Sequence, residues 1–467
     1  MQTGGVDDSQ FDVVIVGAGV SGSSLLYTLA RYTSIDRIAL VEKYDRPGQG
    51  NSKATNNSQT LHVGDIETNY SIEKVKQVLP ASMMIVRYAD ALPANERAAF
   101  LVKTPKMVLG VGSHEVSLLR DRFRQLVPLF PELQELNADE IARVEPMVMQ
   151  GRDVTQPVVA LYNPLGYAVD YERLAQSFID HAIEQNPHVQ VHFNDGVKHI
   201  ARRNGMYVLE LRGGKRLASK TVVVDADSYS LLIAKQLGYG MKYSLIPIAG
   251  TFYFSRELLR GKVYTVQEPK LPFAAVHGDP DVRVPGQTRW GPTARFHPVL
   301  ESFKYRTMVD YFRSSGLHRV KTWVSFVKIL FDPIRLGYLL KNMLYELPFI
   351  GTILFIANAR KIVPTIRARD VTVAKGFGGM RLQRVDTETG EMQLGEGKIV
   401  GENIIFNMTP SPGASVALYN AMRDAEKVVE FLGEGYGFDR QRMERELVNS
   451  HGLMTSGEVS LPAGYAS

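Results

Sequence analysis

The sequence predicts an α/β molecule, α+β overall, and three observations predict it. A short β-branched apolar run near the start leads straight into a glycine turn and then a helical pattern. A central stretch alternates apolar and polar residues around Asn-Gly and Gly-Gly turns. A later stretch, residues 298–367, is helical in pattern and basic. The first pattern calls for a parallel βαβ unit, the second for an antiparallel meander, and the third for a helical insertion. At 467 residues the chain is long enough for two or three domains.

Composition narrows the chemistry. The chain has no cysteine, which excludes disulfides, thiolate metal sites, cysteine-ligated iron–sulfur clusters and a thiol nucleophile, and fits a reducing compartment. No metal is expected at the site. The formal net charge is +5, so the location of the excess matters more than its size. Residues 1–10 carry two acids and no apolar run, and read as a disordered tail rather than a secretory signal. No stretch reaches the roughly eighteen uncharged apolar residues that span a bilayer.

The first element is the strand "FDVVIV", residues 11–16. Gly17-Ala18-Gly19-Val20-Ser21-Gly22 follows, and "SSLLYTLARY" continues at helical spacing through Leu25, Leu26 and Leu29. In such a turn Gly17 permits the tight bend, Gly19 the close approach of a pyrophosphate and Gly22 the packing of helix on strand. The phosphates sit at the helix N-terminus, where free N–H groups favour anions. The second strand, "RIALVE", ends at Glu42, placed to accept hydrogen bonds from ribose hydroxyls. This is a Rossmann-like dinucleotide unit, and it does not by itself separate NAD from FAD. At the far end, residues 403–433 read as strand, turn and long helix, with Ser411 as N-cap, Pro412 at the first helical position and Gly413 leaving backbone bare. A helix start of that kind stabilises negative charge on the pyrimidine side of a reduced flavin.

Residues 51–70, "NSKATNNSQTLHVGDIETNY", are rich in small polar residues with His62 as their imidazole. Together with "KLPFAAVHGDPDV", "TRWGPTA", "FGGMRLQ" and "NIIFNMTPSPGAS", in that order, this stretch resembles the malate:quinone oxidoreductases. That family is a branch of the FAD-dependent oxidoreductases, alongside D-amino-acid oxidase and L-2-hydroxyglutarate dehydrogenase. The resemblance runs from about residue 11 to residue 435. It implies a flavoprotein, peripheral on the inner, cytoplasmic face of the membrane, that oxidises (S)-malate to oxaloacetate and reduces a quinone.

Carried over by position, the resemblance puts Gly17, Gly19, Gly22 and Glu42 on the ADP part of FAD. It sets Asn57, Ser58, Gln59 and His62 beside the isoalloxazine, and Ser411, Pro412 and Gly413 at the flavin-facing helix start. His277 falls on the substrate strand, Gly291 and Pro292 on the hairpin opposite, and Gly378, Gly379 and Arg381 on the loop that meets a substrate carboxylate. Two positions depart from the pattern. Asp227 stands where a glycine is expected, beside Asp225, and Leu382 where a proline follows the arginine. Two carboxylates there would loosen flavin binding or lower its potential.

The FAD-binding domain is then discontinuous, 11–75, 190–235 and 400–435. The substrate domain is 76–189 and 236–399 on a mixed or antiparallel sheet, and 298–367 forms the insertion. In that insertion Lys321, Lys328, Arg335 and Lys341 interleave with Trp323, Phe326, Phe331, Tyr338, Phe349 and Phe355, a pattern that suits an anionic lipid surface. No nucleic-acid motif is present. Oxidising a secondary alcohol sends the C2 hydrogen to the flavin and the hydroxyl proton to a base. Histidine's ordinary pKa suits the second task. His277 is the expected base, with His62 its competitor. Arg381 is expected to clamp one carboxylate bidentately, and Arg295 and Arg289 are candidates for the second. The alternatives are oxidation of another 2-hydroxy acid such as L-2-hydroxyglutarate, a NAD-linked dehydrogenase, and a flavin- and membrane-binding protein with reduced catalysis.

Overall fold

A computed structural model describes residues 10–267, 276–291, 293–317, 319–330, 337, 344, 350–393, 397–408 and 413–448. The strand Gln10–Val16 is buried along its whole apolar length, as a strand covered on both faces must be. It pairs in parallel with Ile38–Val41 on one side and Arg216–Val224 on the other. Gln190–His192 and Ile404–Met408 extend the sheet in parallel, and Gly397–Gly401 closes that edge antiparallel. Val197–Arg203, Met206–Leu211 and Arg216–Val224 form the antiparallel meander that feeds into it.

Helices cover one face of this sheet. Val20–Tyr32 packs between Tyr171–Gln185 and Ala417–Leu432 around Ile15, Leu26, Phe178 and Leu418. The helix Tyr171–Gln185 belongs to this layer although it lies far along the chain. Its cap, Asp170, accepts from Glu172 N–H and Arg173 N–H. The meander and the helix Ser228–Gln236 cover the other face, over Val14, Val16, Leu217 and Leu231.

The second large sheet runs, in space, from Val371–Val373 through Tyr253–Arg256, Gln287–Gly291, His277–Pro280, Lys262–Thr265, Lys106–Val111 and Val158–Asn163 to Gln134–Leu136. Among the described residues its one parallel contact, Lys262–Thr265 with Lys106–Val111, makes it mixed. A smaller antiparallel sheet carries Arg295–Phe296, Tyr243–Ala249 and Met380–Asp386 side by side.

Within 298–367 the described helices are Met308–Ser315, Val320–Leu330 and Ile350–Ala359. Phe331, Arg335, Tyr338, Lys341 and Phe349 lie outside the described residues. Phe326 is buried, but Val320 (77% exposed), Trp323 (55%), Val324 (61%) and Val327 (49%) face outward. Large apolar side chains therefore lie on the solvent side, beside exposed Lys321 and Lys328. Phe355 and Ile356 instead join the core under the large sheet, with Trp290 and Leu259. Among the described residues no helix is long and apolar enough to cross a membrane.

Candidate active site

The glycine turn closes on itself. Gly17 has φ +111°, and a Cβ there would stand 2.4 Å from the Asp225 carbonyl oxygen. A Cβ on Gly22 would stand 2.0 Å from the Gly17 oxygen, so neither position admits a side chain. A Cβ on Gly19 would meet only Ser52 Oγ, at 3.4 Å, so this position borders open space. Glu42 ends its strand against the turn: Oε2 accepts Ala18 N–H at 2.8 Å and Oε1 accepts Tyr44 N–H at 3.0 Å. Burial raises the Glu42 pKa against those two donors.

The polar segment that follows is built by its own side chains. Asn57 Nδ2 donates to the Asn51 and Lys53 carbonyls, and its Oδ1 accepts Gln59 N–H. Gln59, at φ +53°, donates to Ala54 O and accepts Val282 N–H. Ser58 offers its carbonyl to Lys262 Nζ at 3.0 Å. His62 N–H donates to Ser415 Oγ at 3.0 Å, and Tyr171 OH joins Thr60 O and Ser415 Oγ. The C-terminal turn Gly413–Val416 is thus packed onto the His62 segment; Ser411 and Pro412 lie outside the described residues. His62 Nδ1 lies 2.5 Å from Glu67 Oε1, while Glu67 Oε2 accepts Gly64 N–H at 2.8 Å. Burial works to raise the Glu67 pKa, but His62 overcomes it and holds the carboxyl below its ordinary value.

Opposite runs the large sheet. His277 begins His277–Pro280 and is 3% exposed. Register sets it across from Tyr264 and Gly291, and its ring stacks on Tyr264 at 4.4 Å between centroids. Tyr264 OH bonds Thr60 Oγ1 at 2.7 Å, which ties the strand to the polar segment. Alternation puts Asp279 on the same face as His277, with Oδ1 3.4 Å from His277 Nε2. Asp279 Oδ2 accepts from Lys262 Nζ and Arg289 Nη2, each at 3.0 Å, and Arg289 Nη1 lies 3.2 Å from Asp281 Oδ2. Arg289 is fully buried and committed to two carboxylates. Burial pushes the His277 pKa down to about 3; Lys262, Arg289 and Arg381 push the same way, and Asp279 opposes them. The imidazole is neutral near pH 7.

The two remaining arginines part company. Arg381 stands opposite Ile248, and Arg295 opposite Ala249. Directly opposed residues share a face and successive residues alternate, so these arginines leave the sheet on opposite sides. Arg381 acts electrostatically on His277, and Arg295 on His297. Gly378 N–H bonds Thr55 O at 2.9 Å, and a Cβ on Gly379 would stand 2.2 Å from Asn56 O. The loop before Arg381 is thereby seated on the polar segment. Leu382, where a proline was expected, is buried among Leu245, Ile399 and Met408.

Asp225 Oδ1 and Asp424 Oδ2 share the Asn407 amide, at 3.0 and 2.6 Å, and Lys398 pairs with Asp424. Burial, with the Asp424 charge, pushes the Asp225 pKa up to about 7; burial likewise pushes Asp227 up to about 6. Lys262, Tyr264, Glu67 and Asn51 are site residues that the sequence reading missed. Asp279 carried a signal, two residues from His277 in a strand. Lys262 and Tyr264 carried none, because only strand pairing brings them in.

Residues 9–431 match the family model described as malate:quinone oxidoreductase (Mqo). A probable malate:quinone oxidoreductase of Campylobacter jejuni is 40% identical over 445 residues, covering 93% of this chain and 99% of that protein. A malate:quinone oxidoreductase of Helicobacter pylori is 40% identical over 443 residues, covering 92% and 97%. Among solved structures, glycine oxidase from Geobacillus kaustophilus matches with TM-score 0.61 at 18% identity, covering 95% of this chain and 99% of that one. L-alpha-glycerophosphate oxidase from Mycoplasma pneumoniae, solved with FAD bound, matches with TM-score 0.61 at 17% identity, covering 90% and 95%. These structures share the fold.

Proposed function

Because the chain belongs to the malate:quinone oxidoreductase family, we infer that it oxidises (S)-malate to oxaloacetate and passes the electrons to a quinone. It is an FAD flavoprotein. The residues present fit that group: a turn with no room for side chains at Gly17 and Gly22 and an open Gly19 accommodates a pyrophosphate, and Glu42 ends the neighbouring strand where a ribose would lie. The polar segment 57–62 and the Gly413 turn, joined through Ser415, would flank the flavin ring. Bound there, FAD supplies the two-electron acceptor for the hydrogen on C2 of malate.

The protein's own part is to orient malate and take its hydroxyl proton. The observation that carries this reading is that the charge of half-buried Arg381 acts on the buried His277 ring. Arg381 would hold one carboxylate through paired N–H donors. His277, neutral at pH 7, would accept the proton at a ring nitrogen. Malate's carboxylates would offset the cations that hold its basicity down, and Asp279 would stabilise the imidazolium. Arg289, already held by Asp279 and Asp281, fits a role in fixing Asp279 better than one in binding the second carboxylate. A second reading, with His62 as base, is favoured by one observation: its bond to Glu67 orients the ring as a general base requires.

The outward apolar face of Val320–Leu330, with Lys321 and Lys328, would rest on an anionic membrane from which quinone is drawn, on its inner face. Anaerobic mixing of the FAD-loaded protein with a panel of 2-hydroxy acids tests the substrate. Malate should bleach the flavin fastest; faster bleaching by L-2-hydroxyglutarate or lactate would replace malate as the substrate, and dependence on NAD would overturn the reaction type.

A further inference from the structure

We propose that Asp227 is a positioning residue for the substrate carboxylate: through the Asn51 side chain it fixes the backbone of Met380 and so the place of Arg381. The inference rests on the reading of Arg381 as the carboxylate clamp. Asp227 has φ +49° and ψ −115°, outside the regions an L side chain ordinarily enters. Such a backbone persists where its surroundings hold it, and it marks functional sites more often than framework. No side-chain capping bond ties its carboxylate to the helix Ser228–Gln236 that it precedes, although the adjacent Ser228 N–H acts on it and lowers its pKa.

The carboxylate is engaged elsewhere. Asp227 Oδ2 accepts from Asn51 Nδ2 at 2.5 Å. The same amide nitrogen donates to Met380 O at 2.7 Å, and Asn51 Oδ1 accepts Met380 N–H at 3.0 Å. One side-chain amide thus grips both backbone groups of the residue before Arg381. Turned end for end, that amide would present an oxygen to both the Asp227 carboxylate and Met380 O, and a nitrogen to the Met380 N–H, three repulsive contacts in place of three bonds. Ionised above its pKa of about 6, the Asp227 carboxylate has no proton to give, and it reinforces the orientation that the Met380 backbone asks of Asn51. The grip completes the seating that Gly378 and Gly379 make on Thr55 and Asn56. Asp227 and Asn51 come from the nucleotide-binding side and Met380 from the small sheet, so the three join two parts of the molecule at the clamp.

The test uses the FAD-loaded protein and malonate, a dicarboxylate that cannot be oxidised, with binding read from the flavin spectrum. Asp227→Ala and Asn51→Ala should each weaken malonate by about tenfold, the usual worth of a charge-assisted bond, and the double variant no further. Asp227→Asn keeps an acceptor and tolerates positive φ, so it should stay within about threefold of the parent. Asp227→Gly should melt no lower than the parent yet bind malonate about tenfold more weakly, a separation that a purely structural role would not produce. With malate the loss should appear in KM rather than kcat. If Arg381→Met weakens malonate but Asp227→Ala and Asn51→Ala do not, the inference falls and the clamp stands. If Arg381→Met binds normally, the clamp reading falls first. Loss of FAD from Asp227→Ala, with unchanged malonate affinity in the fraction still loaded, would make Asp227 a cofactor residue and overturn the inference.

Discussion

His277 shows how a residue's surroundings decide what it can do. Burial and three nearby cations keep its ring neutral, which leaves a site for a proton but makes a weak base until anionic substrate arrives. His277→Gln should therefore slow malate-driven flavin reduction by about 10² to 10⁴, measured by anaerobic stopped flow. A near-normal rate there with a large loss in His62→Gln would move the base to His62. Asp225 gives a second prediction at this scale. Its folded pKa, about 7, lies above the ordinary 3.8, so its favourable contribution is complete below pH 4 and is lost as pH rises through 7. Asp225→Asn should raise the melting temperature at pH 8 by roughly a few degrees, and the gain should shrink steadily towards pH 4. A gain independent of pH would mean that the Asp225 charge is not its source.

At the scale of elements, the helix Val320–Leu330 turns Thr322, Ser325 and Phe326 inward and Val320, Trp323, Val324 and Val327 outward. Two small polar side chains and Phe326 pack against the body while four large apolar ones meet solvent, unlike a surface helix that serves only its own core. Val320, Trp323, Val324 and Val327 changed together to Ser should release the protein from anionic liposomes in a sedimentation assay. Flavin reduction by malate should be unaffected, and turnover with membrane-embedded quinone should fall. Lys321→Gln with Lys328→Gln should weaken the same binding most at low salt, because screening shortens the reach of surface charge. Unchanged sedimentation in both variants would put the membrane on another surface. The basic character of this stretch was legible in the sequence; which way its apolar residues face was not, since helical spacing is the same whichever side meets the core.

For the whole molecule, cofactor and fold are linked, because a ligand that binds only the folded state stabilises it. The glycine turn separates the two roles. A Cβ at Gly22 would strike backbone at 2.0 Å, whereas one at Gly19 would stand in ordinary contact at 3.4 Å from Ser52 Oγ. Gly22→Ala should lower the melting temperature with or without FAD. Gly19→Ala should leave the FAD-free protein within about a degree of the parent while weakening FAD by about tenfold or more, by titration of flavin fluorescence. Equal losses of stability in both variants would show that Gly19 is there for folding.

The strand, glycine turn, helix and closing acid at Gln10–Glu42 were determined by the sequence alone, because each depends on residues a few positions apart. So was the family, whose ordered segments span the chain. Tertiary structure decided the rest. Arg381 and Arg295 look alike in sequence, and only register against Ile248 and Ala249 sends them to opposite faces. Asn51 meets Asp227 across 176 residues and Met380 across 329. Contacts of that separation have no local signature: pairing and packing of distant segments create them, and no spacing along the chain encodes which side chains will then touch.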